Sequence, residues 1–483
     1  MSGTLEQVER AKAMISTGFS AGFKTLDREV PGVDLAWQGT SPAWLNGVLL
    51  RTGPAKFEVG AAAYRHWFDG LAMLHRFAFA GDRVRYANRY LQSAAYQQAI
   101  LHNTIMSDEF ATNRAGPWWS GLLPRLTGKA TDNGNVNVLA YGDHDMVALT
   151  ETPYPMRVNP ETLETLGPFE WKDEHDCQVT TAHPHYDAAR QLIYNLEIAF
   201  GRKTSYRFTG MTPGSHRRRI VAEIESSEPA YSHSFGMSER YLILAEFPLV
   251  TKPLRLLLSG RPFIETYRWS PSRGVRFTII DKDTGAIVRR AEGEPCFAFH
   301  HVNAYEEGGA VVLDLVAFKD ARIIDALYLD ELRAGKAIPE GLLTRFSIPL
   351  GESPVARKAL SSLAMELPRI AYHQVAGRRH RYVWSTGAAH GGFLDRLVKQ
   401  DIDTAKVTTW SEKNGFPGEP VFVSAPNAEA EDEGVLLSVV LDAEQTRSFL
   451  VVLDAATMQE HARAYAPHVI PFGFHGNYFG NAS

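Results

Sequence analysis

Residues 274–288 read GVRFTIIDKDTGAIV: an apolar run, a short polar turn opened by Asp281, and a second apolar run. The first run has the β-branched enrichment and the length of roughly four to eight residues that a strand needs. Asp281 can accept hydrogen bonds from the turn that follows it, so the flanking runs are expected to pair as a hairpin. The same pattern returns in VNPETLETLG at 158–167 and VVLDAATMQEH at 451–461. Similar short runs fill the chain from Leu45 onward, among them NGVLLRTG at 46–53, QLIYNLEIAF at 191–200, GAVVLDLVAF at 309–318 and GVLLSVVLDA at 434–443. Hairpin after hairpin with few long helices predicts an all-β fold. A β-propeller protects the edges of such sheets by closing them into a ring, with helical and loop segments capping its axis. No WD or kelch repeat marks the blades. No linker or low-complexity segment divides the chain, so 31–483 is expected to form a single domain. Residues 1–30 are expected to be an amino-terminal arm, partly helical around Leu5 to Ile15.

A hydrophobic content of 45% and a charged content of 22% over 483 residues are ordinary for a soluble globular protein with a large core. A net charge of −5 gives no basic face to neutralise phosphates, which disfavours nucleic acid as a partner. Cys177 and Cys296 form no metal or redox motif and read as buried thiols of a reducing compartment. The amino terminus lacks the basic region and long apolar run of a signal peptide. No apolar run approaches the roughly 18 residues needed to span a bilayer. A cytoplasmic protein is expected, free or resting on a membrane surface. Two stretches break the β pattern, PWWSGLLPRLT at 117–127 and FPLVTKPLRLLLSGRPF at 247–263. Buried helices capping the ring account for both; so does a membrane-docking patch in which Trp, Leu and Phe dip into the interface while the cations meet headgroups.

Chemistry enters at 296–307, CFAFHHVNAYEE, where a histidine pair sits among aromatics and is followed by Asn303 and an acidic pair. Such a stretch reads as a buried strand end delivering His300 into a cavity as a metal ligand; the competing reading is a core histidine satisfied by hydrogen bonds. Three more histidines have comparable settings: His183 in TTAHPHYD, His233 in YSHSFGMSERYLIL and His475 in PFGFHGNYFG. No helix or loop spacing joins the four. In a propeller, however, inner strands converge on the axis, and one histidine from each would meet there. Four neutral imidazoles suit iron, zinc or copper, and iron could keep positions open for dioxygen or water. Carboxylates should then accept the remaining ring N–H groups. Candidates are Glu151 in ALTETPYP, Glu366 in AMELPRI and Glu431 in AEAEDEGVLL, with a solvated surface position the alternative for each.

These histidine settings, with LLRTGPAKFEVGAAAYRHWFDGLAMLH at 49–75 and GFHGNYFG at 473–480, resemble the carotenoid cleavage oxygenases from about Leu45 to Phe479. Within that family TDNGNVNV, TETPYPMRVNPETLETLG, YSHSFGMSERY and FHHVNAYEE are most similar to the animal-type carotene oxygenase and retinoid isomerase branch. The resemblance implies a seven-bladed β-propeller with one Fe2+ on its axis, held by His183, His233, His300 and His475, and dioxygen as co-substrate. The family motif FHxxNA selects His300 over His301. Glu151, Glu366 and Glu431 would orient His233, His300 and His475, leaving His183 without a carboxylate. The implied reaction cleaves a C=C bond of a carotenoid or apocarotenoid to carbonyl products such as retinal or other apocarotenals. It calls on no catalytic side chain beyond the metal centre.

Phe110 in MSDEFAT, Val136, Thr150 and Phe299 fall on the substrate cleft of that branch. Stilbene-cleaving members carry Lys where this chain has Thr150, which disfavours a phenolic stilbene substrate. Val136 stands where other members have Thr beside the iron. The stretches 117–127 and 247–263 fall on the family's membrane-docking surface and tunnel mouth. The first has no Cys for lipid attachment, so docking is expected to be reversible. Three alternatives stay open: stilbene cleavage, isomerohydrolysis of a retinyl ester without dioxygen consumption, and a non-catalytic propeller that binds an apolar ligand.

Overall fold

The turn at Asp281 joins the antiparallel strands Val275–Asp281 and Ile287–Gly293. Asp281 Oδ1 accepts from the backbone N–H groups of Asp283 and Thr284 and from the Thr284 hydroxyl, at 3.0–3.2 Å. Asn159, Asp401 and Asp454 cap their turns in the same way, each accepting from an N–H two or three residues on. The side-chain acceptor thus satisfies the donors that the reversing backbone takes out of the ladder.

The computed structural model describes residues 18–116, 130–142, 145–201, 203–389 and 391–480. Among them the fold is mostly β, in six sheets of four to seven strands and two small two-stranded ladders. The two ends of the chain interlock. Strand Gly476–Gly480 pairs with Gly47–Lys56 in the first sheet, from Gly47 opposite Gly480 to Arg51 opposite Gly476. Strand Trp37–Gly39 in turn joins the last sheet, beside Glu460–Tyr465. Gly53 and Gly473 meet back to back where this junction is tightest, since a Cβ on Gly53 would lie 2.5 Å from the Gly473 Cα. Only glycine lets the segment leading to His475 approach so closely.

A seven-stranded sheet runs from His301–Glu307 to Val407–Trp410. At its middle lies the long strand Ala356–Arg369: Ala356 to Ala359 pair with Leu342–Pro349, Ala364 faces both Leu342 and Ala388, and Met365 to Arg369 pair with Tyr382–Ala388. That shift in pairing places Glu366 against Tyr382–Ala388. The largest apolar cluster lies against this sheet and includes Trp384, fully buried and stacked on Phe422 at 4.5 Å.

The described part of the amino-terminal arm packs into this same cluster. The 3-10 turn Phe19–Phe23 stacks Phe19 on Phe393 at 4.8 Å and sets Phe23 edge-on to Trp67 at 5.4 Å. The helix expected around Leu5 to Ile15 lies outside the described residues, as does the stretch 117–127. The stretch 247–263 is not one buried helix. Leu249–Val250 is a buried strand, Pro253–Leu258 a short helix, and Leu254 and Leu258 are 70% and 62% exposed. Pro253 and the strand before it fix where the helix starts, and Gly260, at φ +66° just past its last turn, ends it. No helix among the described residues is long and apolar enough to cross a membrane. Both cysteines are buried free thiols.

Candidate metal centre

Each of the four histidines lies beside the edge strand of a different sheet. His183 sits between Val179–Thr180 and His185–Asp187, and His233 shortly before Gly236–Met237. His300 and His475 immediately precede His301–Glu307 and Gly476–Gly480. The ligand candidates are therefore on the segments leading into the strands rather than within them. Four sheet edges converge, and one ring nitrogen from each histidine lies within 4.8 Å of the others. The Nε2 atoms of His183 and His233 are 3.0 Å apart, those of His300 and His475 3.2 Å.

Three of the four opposite nitrogens face carboxylates. His233 Nδ1 donates to Glu151 at 2.5 Å, His300 Nδ1 to Glu366 at 2.5 Å and His475 Nδ1 to Glu419 at 2.7 Å. An acceptor on Nδ1 fixes the tautomer and leaves the Nε2 lone pair for a metal. Burial, reinforced by the neighbouring imidazoles, pushes His183 and His300 well below the ordinary histidine range. Burial likewise brings His475 down to about 4. Neutral rings with inward lone pairs are the state a cation requires. Among the described residues His183 has no carboxylate partner; instead Asn137 Nδ2 holds the carbonyl of Ala182 just before it, at 2.9 Å.

Two of the three glutamates expected from the sequence are in place, and the third is corrected. Glu431 does not reach His475. Its carboxylate accepts the backbone N–H groups of Arg381 and Tyr382 at 2.9–3.1 Å. Glu429, Glu431, Asp432 and Glu433 crowd one turn, and so many like charges cannot be buried together. Glu419, fully buried in the segment GEPVF, takes the place beside His475. Its signal lay elsewhere in the chain, in the arginines of LLRTG and LPRIAY, which need a buried acid once their strands are buried. Arg369 grips Glu419 through two nitrogens at 2.8 and 3.0 Å, and Arg51 lies 3.8 Å away.

The three carboxylates consequently differ. Burial pushes Glu419 up, but Arg369 and His475 outweigh it and hold the group well below the usual carboxylate range. Among the described residues Glu366 has no guanidinium; besides His300 it accepts the Leu367 N–H at 2.7 Å, and burial takes it up to about 7. Glu151 accepts the Tyr231 hydroxyl at 2.8 Å beside its bond to His233.

The centre opens on a cavity of about 1290 Å3 whose wall includes His233, His300 and His475. This exceeds the usual range of roughly 300–1,000 Å3 for small-molecule sites and suits a long ligand. Phe110, Val136, Thr150 and Phe299 all lie on this wall. Val136 also accepts the His475 N–H through its carbonyl at 3.2 Å, and Phe299 stands edge-on to the His233 ring at 5.4 Å. The sequence reading missed Phe68, which contacts the rings of Phe110, Phe299 and Phe474 at 5.0–5.6 Å and lies over His233 at 6.5 Å.

Phe68 and Phe110 are tied together by Asp69, which is fully buried. Asp69 accepts from the N–H groups of His66 and Ala111 at 3.1 and 2.9 Å and from the Thr112 hydroxyl at 2.6 Å. Asp69→Ala leaves those donors without their acceptor and is expected to cost at least about 2 kcal/mol of stability, measured by urea unfolding. Asp69→Asn, which keeps one acceptor, is expected to lose less.

The family described as Retinal pigment epithelial membrane protein matches residues 23–480. The chain is 34% identical to the mitochondrial carotenoid-cleaving dioxygenase of Macaca fascicularis, over 94% of this chain and 93% of that protein. It is 32% identical to the beta,beta-carotene 15,15'-dioxygenase of Homo sapiens, over 91% and 90%. Among solved structures, cobalt-substituted ACO (apocarotenoid oxygenase) of Synechocystis superposes with a TM-score of 0.85 at 25% identity, covering 96% of this chain and 99% of that one. An ACO/RPE65 chimera superposes at 0.86 with 26% identity and the same coverage.

Proposed function

We infer, for a chain that belongs to the retinal pigment epithelial membrane protein family of carotenoid oxygenases, that its reaction is the oxidative cleavage of a C=C bond in a carotenoid or apocarotenoid. The observation that carries the reading is the junction of four converging Nε2 atoms with a large cavity. Four imidazoles, three of them backed by carboxylates, fit a divalent metal of borderline softness, and the family is iron-dependent. We assign His183, His233, His300 and His475 as ligands of one Fe2+ per chain, with Glu151, Glu366 and Glu419 fixing three of the rings. When bound, the ion supplies the means of activating dioxygen. The chain's own residues position the polyene and exclude water: Phe68, Phe110 and Phe299 form an aromatic slot beside His233, and Val136 and Thr150 complete the wall. No side chain is assigned as acid, base or nucleophile.

In this reading 31–483 is a single seven-bladed propeller, with the seven-stranded sheet counted as two blades that share Ala356–Arg369. The stretches 117–127 and 247–263 are assigned to reversible membrane docking. Exposed Leu254 lines the cavity with Lys252 and Arg261, and exposed Leu258 lies on the same short helix, so an apolar substrate would pass from lipid to cavity without crossing water.

The test is product analysis of iron-loaded protein offered a carotene, an apocarotenal, a hydroxystilbene and a retinyl ester under air and under argon. Paired shorter carbonyl products from a polyene, formed only under air, are expected. Conversion of the retinyl ester alone, equally under argon, would replace oxygenation with isomerohydrolysis. Cleavage of the stilbene alone would replace the substrate class.

A further inference from the structure

The cavity wall carries a buried acid that the metal centre does not use. Glu109 is 6% exposed and lines the cavity beside Phe110 and Thr131. The hydroxyls of Ser107 and Thr131 both donate to its Oε1, at 2.5 and 2.8 Å. Thr131 is itself held through its carbonyl, which accepts the Thr152 hydroxyl at 2.7 Å. Among the described residues no group donates to Oε2, and no lysine or arginine pairs with the carboxyl. Burial pushes the group up to about 8; the two hydroxyl donors pull it down by less, and Asp69 and Asp132 push with the burial.

A neutral carboxylic acid has one O–H to give. With Oε1 occupied by two donors, the proton belongs on Oε2. The cavity wall that Glu109 shares includes the apolar Trp67, Phe68, Phe110 and Val136, which offer no side-chain acceptor, as well as polar side chains such as Asp108, Asn113, Thr131 and Thr152. A buried hydroxyl donor of this kind seeks an acceptor in whatever fills the cavity. A hydrocarbon polyene has none, whereas one bearing oxygen does.

We propose that Glu109 is a specificity residue that donates a hydrogen bond to an oxygen function, hydroxyl or carbonyl, on the polyene, so that oxygenated apocarotenoids rather than hydrocarbon carotenes are the preferred substrates. This rests on the reading of the cavity as a polyene site. Phe110 and Phe68 then grip the apolar chain while Glu109 sets how far it slides past the histidines.

The experiment compares three polyenes of one chain length: a hydrocarbon, its ring-hydroxylated form and its terminal aldehyde. Each is titrated anaerobically into iron-loaded protein for Kd and then turned over under air for kcat/KM. The wild-type protein is expected to favour at least one oxygenated polyene over the hydrocarbon by about tenfold in both quantities. Whichever form is favoured identifies the oxygen function. In Glu109→Leu the ratio is expected to fall to near one, and in Glu109→Gln, which keeps an acceptor for Ser107 and Thr131 and a donor for the substrate, to stay within about threefold of wild type. Equal preference in the wild-type protein overturns the proposal whatever the variants do. So does a Glu109→Leu variant in which all three polyenes weaken alike, the mark of a merely structural role. Binding and cleavage of all three with no preference would defeat the anchor alone, whereas no binding of any would defeat the polyene reading with it.

Discussion

Glu419→Ala is expected to cost about 3–5 kcal/mol of stability, because it removes the acid from a buried cluster and leaves two guanidinium groups without their partner. Arg369 and Arg51 both reach Glu419; Arg51 is buried, where its charge cannot be hydrated, while Arg369 is partly exposed. The same substitution frees the His475 ring, whose Nδ1 then has no acceptor to hold the tautomer. Metal affinity is expected to fall about 10–100-fold from that cause alone. Glu419→Gln separates the two effects, since the amide preserves the shape and one acceptor but not the charge. Glu431→Ala is the control. It removes a cap on two backbone N–H groups, so it should cost about 1 kcal/mol and leave bound iron unchanged. Urea unfolding and iron content per chain read both outcomes. If Glu431→Ala loses iron and Glu419→Ala does not, the assignment of the third carboxylate is wrong.

His300→Ala is expected to lower iron affinity by more than about 100-fold, because losing a ligand exceeds the loss of a group that merely orients one. Turnover should fall with it. His301→Ala is the informative companion. The His301 ring is turned away from the other histidines, with Nδ1 on the Ser234 hydroxyl at 2.8 Å and its face toward Phe247 at 6.1 Å. Its removal should therefore leave iron at one per chain while lowering stability through lost packing. Iron loss of equal size in both variants would mean that the histidine pair acts as a unit and that His300 is not the sole contributor from this strand.

How far the sequence reveals all this depends on the range of the interactions involved. Turns at Asp281, Asn159 and Asp454 are legible because acceptor and donors lie within three residues of each other. The all-β character follows from the runs those turns separate. The four histidines are a different case. They come from four sheet edges, and no spacing rule connects residues that only closure of the chain brings together; their local settings single them out, and the resemblance to a family joins them into one site. Glu151 and Glu366 were found by their apolar settings. Glu419 escapes notice because a glutamate between glycine and proline reads as a surface turn, and only its pairing with Arg51 and Arg369 accounts for its burial. Phe68 and Glu109 carry no signal in HWFDG and SDEF, since lining a cavity leaves no periodic trace. The shift in pairing along the long strand Ala356–Arg369 leaves no mark in the sequence, because it occurs within one continuous run.

This chain is expected to use dioxygen at the four-histidine centre to split a polyene. The most direct measurement is turnover of an apocarotenoid by iron-loaded protein under isotopically labelled dioxygen, with oxygen uptake recorded and the products trapped before their carbonyls exchange with water. One dioxygen consumed per bond cleaved, with label in both carbonyl products and none of this in His300→Ala, is the predicted result. Conversion without oxygen uptake, or with both carbonyl oxygens drawn from water, would contradict it.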